Sequence, residues 1–266
     1  MSIPLSNPEP KQEPKQKSKP VSRQFYHSVW RWHFYAGLFV VPFLIILSVT
    51  GLIMLYQPVL EPLLYQDKYF VEVGEQKASF ESQKESINLA YSGTIKKFIQ
   101  GKAANQSNQF IVNTPEGINL KVFTNPYSGQ ILGDFNLDDN LYALSNDIHG
   151  SLLIGDLGDR LMELVASFTI LLAVSGSYLW WPRNTPKKHD NNRFIQALKI
   201  RKQNGKRLFW RDLHAITGLA SLIFLVFFSL SGLAWSGIWG GKFVQAWSSF
   251  PMEKSASSFN SNPQVD

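Results

Sequence analysis

The apolar residues of this 266-residue chain are concentrated in three long runs that contain no formally charged side chain. The runs extend over 32–60, 164–182 and 213–241. Each reaches the length of about 20 residues that a helix needs to cross the hydrocarbon core of a bilayer. We therefore predict three transmembrane helices, although the mean hydropathy of the whole chain, −0.10, would suit a soluble protein.

The segment between the first two runs has the pattern of a small α+β domain. A short helix is predicted within 80–99, and strands are predicted at 109–114 and 119–124. The second strand alternates apolar and polar residues, as a half-buried strand does. A turn at 125–130 and a closing strand at 131–133 complete the pattern. The predicted core of this domain is very small, so we expect the domain to be stabilised by packing against the membrane helices or against a partner.

The net charge of +6 is distributed unevenly, and this indicates an orientation in the membrane. Residues 1–32 contain six Lys or Arg and two acids, and 183–212 contain ten and two, whereas 57–159 contain seven Lys and thirteen acids. By the positive-inside rule, the two basic segments are cytoplasmic and the acidic segment lies outside. Membrane orientation explains the basic excess, so no nucleic-acid partner is indicated.

These observations predict an integral membrane α-helical protein with three transmembrane helices and a small periplasmic α+β domain. The predicted segments are a disordered cytoplasmic tail (1–22), transmembrane helix 1 (23–60), the periplasmic domain (61–148), transmembrane helix 2 (149–182), a basic cytoplasmic loop (183–209), transmembrane helix 3 (210–241) and a periplasmic tail (242–266).

A repeat built around histidine begins two of the charge-free runs. His33 and His214 each follow a Trp-Arg pair by two or three residues, and each has Gly-Leu four residues later and again eighteen residues later. Helices 1 and 3 are predicted to run in the same direction, so both histidines lie about one turn inside the cytoplasmic face. Two neutral imidazoles at equal depth can ligate one haem iron from opposite sides.

The neighbours of the two histidines suit this hypothesis. Gly37 and Gly218 lie on the same helical faces as the histidines, where the lack of a side chain would let a flat macrocycle approach. Arg31 and Arg211 lie just outside, where they could pair with haem propionates. The alternative is plain helix packing by the glycines and interfacial placement of the histidines. Cysteine is absent, which excludes disulfides, thiolate chemistry and iron–sulfur clusters.

The remaining histidines have different predicted positions. His149 precedes helix 2 on the outside and could ligate a second haem, but no other histidine is predicted on that side. Its site would need a ligand from another chain, as in a homo-oligomer, from a missing helix, or from a residue of another type. His27 is interpreted as interfacial and His189 as a solvated loop residue.

Several segments resemble, in order, the PepSY-associated transmembrane proteins of bacteria, also called iron-regulated membrane proteins. They are WRWHFYAGL (30–38), SVTGL (48–52), EPLLY (61–65), NPYSGQILG (125–133), HGSLL (149–153), LMEL (161–164), YLWWPR (178–183), WRDLHAITGL (210–219) and SGLAWSG (231–237). The resemblance covers 23–241, and the outside domain is similar to a PepSY domain.

The resemblance implies a bacterial inner-membrane protein that is linked to iron supply. Some members of this family carry electrons through haem b and reduce ferric siderophores on the periplasmic side, which would make His33, His149 and His214 haem ligands. Members usually continue into a second periplasmic segment and a fourth helix. This chain stops before both, so we expect a short or truncated member, and the second ligand of the outer haem site stays open.

Two functions follow as expectations. The first is a haem-b protein that carries electrons outward to a ferric siderophore and thus acts as a ferric-siderophore reductase, with either quinol or a cytoplasmic reductase as electron donor. The second is not redox: the PepSY-like domain would bind or inhibit a periplasmic peptidase or another partner, and the helices would only anchor it.

Overall fold

The computed structural model describes residues 21–181, 200 and 205–245. Seven α-helices and four strands lie in this part of the chain: α1 (Val21–Leu55), α2 (Gln57–Leu64), α3 (Gln66–Tyr69), α4 (Phe80–Ala90), β1 (Thr94–Ile99), β2 (Asn108–Asn113), β3 (Asn119–Thr124), β4 (Ile131–Asn136), α5 (Leu141–Ser151), α6 (Gly155–Trp180) and α7 (Lys206–Trp235). A π-helical segment, Trp239–Val244, follows α7.

Three of these helices, α1, α6 and α7, are long and apolar enough to cross a membrane. The prediction of three transmembrane helices is therefore confirmed. α1 and α7 begin earlier than their charge-free runs, because helical hydrogen bonding continues into the interface where Trp and Arg are favoured. Outside the described residues lie 1–20 of the predicted cytoplasmic tail (1–22), most of the basic loop with His189, and 246–266 of the predicted periplasmic tail (242–266).

The described chain divides into two compact units, each of which is treated by itself. The first comprises 1–37 and 170–225, and thus the beginning of α1, the end of α6 and most of α7. The second comprises 38–169 and 226–266, and thus the rest of these helices with the α+β domain between them.

The α+β domain of the second unit is built on an antiparallel sheet of four strands in the order β1-β2-β3-β4. Ile87 of α4 packs with Phe110, Val112 and Val122 to form the buried core on one side of this sheet. The Ser79 side chain accepts a hydrogen bond from the backbone N–H of Ser82 and so caps the start of α4. The range 80–99, in which the sequence predicts a short helix, contains both α4 and β1.

The opposite side of the sheet is covered too, so the prediction of a half-buried β3 is wrong. Lys121 and Phe123 are both buried and face α2 and α3. Lys121 donates to the buried Glu61 carboxylate, which also accepts from Tyr69 Oη at 2.6 Å and from Gln57 Nε2 at 2.7 Å. Burial and then the bond to Glu61 raise the pKa of Tyr69, so its phenol remains a donor.

A tight junction joins α5 to α6. Leu152 and Leu153 both have positive φ, 52° and 62°, which turns the chain sharply at the end of α5. At Gly158 a Cβ would lie only 1.7 Å from the carbonyl oxygen of Ser151, so the two helices can meet only because this residue is glycine. The junction fixes the direction in which α5, with His149 near its end, leaves the membrane helix.

Candidate functional site

The first unit brings His33 of α1 and His214 of α7 next to each other. Their ring centroids are 6.3 Å apart, and the ring planes make an angle of 73°. The two residues are 181 positions apart in the chain, so only the packing of the helices joins them. The structure therefore pairs the two histidines of the sequence repeat.

The separation of the two rings fits a shared metal. A metal–imidazole bond is about 2.0 Å long and the ring centre lies roughly 1.1 Å behind the nitrogen, so two imidazoles bound in line to one metal have centroids about 6.2 Å apart. No group of three or more His, Asp or Glu side chains that could hold a metal ion occurs among the described residues. A metal held by this pair would need its other ligands from a bound group or from outside the described residues.

α6 supports His33 from the side. His33 Nδ1 lies 2.9 Å from Ser175 Oγ. A Cβ at Gly176 would lie 3.0 Å from His33 Cε1, closer than side chains normally approach, so the ring fits because Gly176 has none. In the sequence, Ser175 and Gly176 indicate only close helix packing, because nothing local shows which ring faces them.

The two glycines predicted to admit a macrocycle have different surroundings. A Cβ at Gly37 would make an ordinary contact with Leu172 Cδ2 at 3.7 Å. Around Gly218 a Cβ would meet nothing within 4 Å among the described residues. There is thus open space beside α7 one turn after His214, and no tight contact requires glycine at either position.

Arg31 and Arg211 are both exposed. The Arg211 guanidinium donates to Asp212 Oδ1 from Nη2 at 2.8 Å and from Nε at 3.2 Å. The carboxylate of Asp212, which is buried, thus holds one end of Arg211 and leaves the rest of the guanidinium accessible to a second anion. The role of both arginines toward propionates stays a prediction.

The second unit contains His149, which is held in the same manner as His33. His149 Nδ1 lies 2.9 Å from Thr50 Oγ1 of α1. A Cβ at the next residue, Gly51, would lie 3.3 Å from His149 Cε1. Burial lowers the pKa of His149, and a hydrogen bond to the backbone carbonyl of Leu47 opposes this shift in part.

No second histidine occurs among the described residues of the unit that holds His149. Of the other described histidines, His27, His33 and His214 belong to the first unit. His27 is exposed, and its ring contacts Tyr26 with centroids 5.9 Å apart; its interfacial position stays a prediction. A further ligand at His149 would be a residue of another type or would come from outside the described residues of this unit.

The comparisons with known proteins agree with the architecture. The family described as "PepSY-associated TM region" matches residues 30–265, nearly the whole chain. A comparison with curated proteins gives no match. Since the match includes all three membrane helices and the α+β domain, the chain belongs to the family of PepSY-associated transmembrane proteins.

Proposed function

We propose that this protein is an inner-membrane haem-b protein that carries electrons across the bilayer toward ferric siderophores in the periplasm. The observation that carries the proposal is the pairing of His33 and His214, whose ring centroids are 6.3 Å apart. Two imidazoles at this separation could together hold one haem iron. The family's expected link to iron supply adds support.

The chain's own residues would bind and orient the cofactor. His33 and His214 would hold the haem iron, and Arg31 and Arg211 would pair with the propionates. Haem supplies one-electron redox chemistry when it is bound, and apolar surroundings tune its potential. Gly37 and Gly218 would leave room for the ring edge on α1 and α7.

The electron acceptor would be a ferric siderophore on the side of the membrane where the α+β domain lies. The electron donor would be either quinol or a cytoplasmic reductase. The basic segments before α1 and between α6 and α7 support a cytoplasmic N-terminus. His149 is the candidate ligand of a second haem on the outer side, with its further ligand supplied from elsewhere.

The test is the visible spectrum of the full chain purified in detergent, before and after reduction with dithionite. A low-spin haem with two imidazole ligands gives sharp α and β bands in the reduced state. We expect His33→Ala and His214→Ala each to lose at least half of the bound haem or to convert it to a high-spin spectrum. His27→Ala is the matched control, since His27 is exposed on the same helix.

Two results would overturn the proposal. One is a spectrum that both histidine variants leave unchanged. The other is a colourless protein that fails to take up added haemin, which would favour the non-redox function, in which the α+β domain binds a partner and the helices anchor it.

A further inference from the structure

Two histidines in different units are held by the same short motif. His33 is held by Ser175-Gly176 of α6, and His149 by Thr50-Gly51 of α1. In both motifs the hydroxyl oxygen lies 2.9 Å from Nδ1 of the ring, and the glycine gives space to Cε1. We name these motifs the two hydroxyl–glycine pairs. Because the same contacts recur on two different helices, we expect the two rings to have the same role.

The direction of each hydrogen bond follows from the hydroxyl's other partner. Ser175 Oγ donates its single proton to the carbonyl of Leu171 at 2.6 Å. Thr50 Oγ1 likewise donates to the carbonyl of Ile46 at 2.8 Å. A hydroxyl has one proton, so an oxygen that donates to its own helix carbonyl can only accept from the imidazole. With that assignment, the neutral form of each ring has its proton on Nδ1.

We infer that Ser175 and Thr50 are positioning residues that hold His33 and His149 as the Nδ1–H tautomer and so keep the Nε2 lone pair of each ring free to bind iron. The role toward iron rests on the proposed function. A hydrogen bond from the second ring nitrogen is the usual way in which proteins fix the tautomer and orientation of a ligating histidine.

Helix packing alone does not account for the arrangement. Serine and threonine in membrane helices often bond to the carbonyl four residues earlier, and Ser177 and Thr169 do so here, each at 2.8 Å. Neither of these two hydroxyls has a hydrogen bond to an imidazole among the described residues. A hydrogen bond from the hydroxyl to the carbonyl four residues earlier is thus ordinary. Among these four hydroxyls, only those of Ser175 and Thr50 also contact an imidazole.

The tautomers can be read directly by ¹⁵N NMR of the imidazoles in the full chain, labelled at histidine and produced in a host unable to make haem. At pH 8 we expect Nδ1–H for His33 and His149 in the wild type. Ser175→Ala should shift only His33, and Thr50→Val only His149, toward the Nε2–H form that predominates in water. Ser175→Thr and Thr50→Ser keep a hydroxyl and should retain the wild-type signals. Ser177→Ala and Thr169→Val should leave the tautomers of both rings unchanged.

The same variants are then examined with haem. Loss of a partner of this kind typically lowers metal affinity roughly 10- to 100-fold. We expect Ser175→Ala to weaken haemin binding about 10-fold and to raise the midpoint potential, because His33 becomes a poorer donor to the oxidised metal. Ser177→Ala should keep the wild-type affinity and potential.

The outcomes separate the inference from the function on which it rests. Fixed tautomers in a protein that binds no haem would uphold the hydrogen-bond assignment and overturn the proposed function. Haem bound through His33 and His214, together with tautomers that Ser175→Ala and Thr50→Val leave unchanged, would uphold the function and overturn the inference.

Discussion

At the scale of single residues, Gly176 is the position where one added carbon should disturb the paired histidines most. In Gly176→Ala the new methyl group would lie 3.0 Å from His33 Cε1 and would push the ring away from Ser175. Overpacking of this kind costs about 1–3 kcal/mol unless the neighbour moves. We expect the purified variant to hold less than half of the wild-type haem, as measured by the pyridine haemochrome assay.

Gly232→Ala is the matched control for this substitution. Gly232 also lies within a membrane helix, and a Cβ there would meet nothing within 4 Å in the described part of the chain. The control should retain the wild-type haem content. Equal haem content in Gly176→Ala and the wild type would show that His33 does not need its present position.

The same residues show how much of the site a sequence can reveal. His33 and His214 were identified as a pair because each begins the same repeat, and a repeat is visible without any contact. Ser175 and Thr50 were not identified, because their function depends on rings 142 and 99 positions away. A hydroxyl followed by glycine in a charge-free helix is the available signal, and it equally indicates close helix packing.

At the scale of secondary-structure elements, the carboxylate of Glu163 fastens the end of α7 to α6. Its Oε1 accepts from Ser236 Oγ at 2.8 Å and from the backbone N–H groups of Ile238 and Trp239. Its Oε2 accepts from Arg160 at 3.2 Å. The three donors to Oε1 lie where α7 ends and the π-helical segment begins, so Glu163 satisfies two backbone N–H groups at the start of that segment.

Removal of this carboxylate should destabilise the protein. Hydrogen bonds to a buried charged group contribute about 1.5–3 kcal/mol, so Glu163→Ala should lower the stability by about 2 kcal/mol or more. That corresponds to a fall of about 4–8 °C in Tm for a chain of this size. Glu163→Gln should lose less, because Gln keeps one acceptor oxygen. Tm is measured in detergent by tryptophan fluorescence.

Asp156→Asn provides the comparison for these variants. Asp156 is an exposed acid in the first turn of the same helix, so its neutralisation should move Tm by no more than about 1 °C. If Glu163→Ala melted at the wild-type temperature, Glu163 would not fasten the two elements.

Elements differ in how far their sequence determines them. The three membrane helices were predictable because bilayer thickness imposes a length that few other structures share. β3 was misjudged because alternation reveals only whether side chains are apolar, whereas Lys121 is buried through its bond to Glu61, sixty positions earlier. Acids near the start of α6 are what the helix dipole alone favours, so the sequence does not show that Glu163 also binds the end of another helix.

At the scale of the whole molecule, the sequence predicts the orientation that outward electron transfer requires. The segment 183–212 contains ten Lys or Arg and two acids, whereas 57–159 contain thirteen acids and seven Lys. A membrane that keeps basic segments on the cytoplasmic side therefore places the α+β domain outside, where a ferric chelate would be reduced. In the opposite orientation the α+β domain would lie in the cytoplasm, where a chelate outside the cell could not reach it.

The absence of cysteine makes this orientation testable with single substitutions. Lys102→Cys places a thiol at an exposed position between β1 and β2, and Lys187→Cys places one in the basic segment. In bacterial spheroplasts, a membrane-impermeant maleimide should label Lys102→Cys and should label Lys187→Cys only after the membrane is broken. The natural chain, without thiols, gives the background. If only Lys187→Cys were labelled in intact spheroplasts, the protein would have the opposite orientation. That result would contradict reduction outside the cell, even if the visible spectrum showed bound haem.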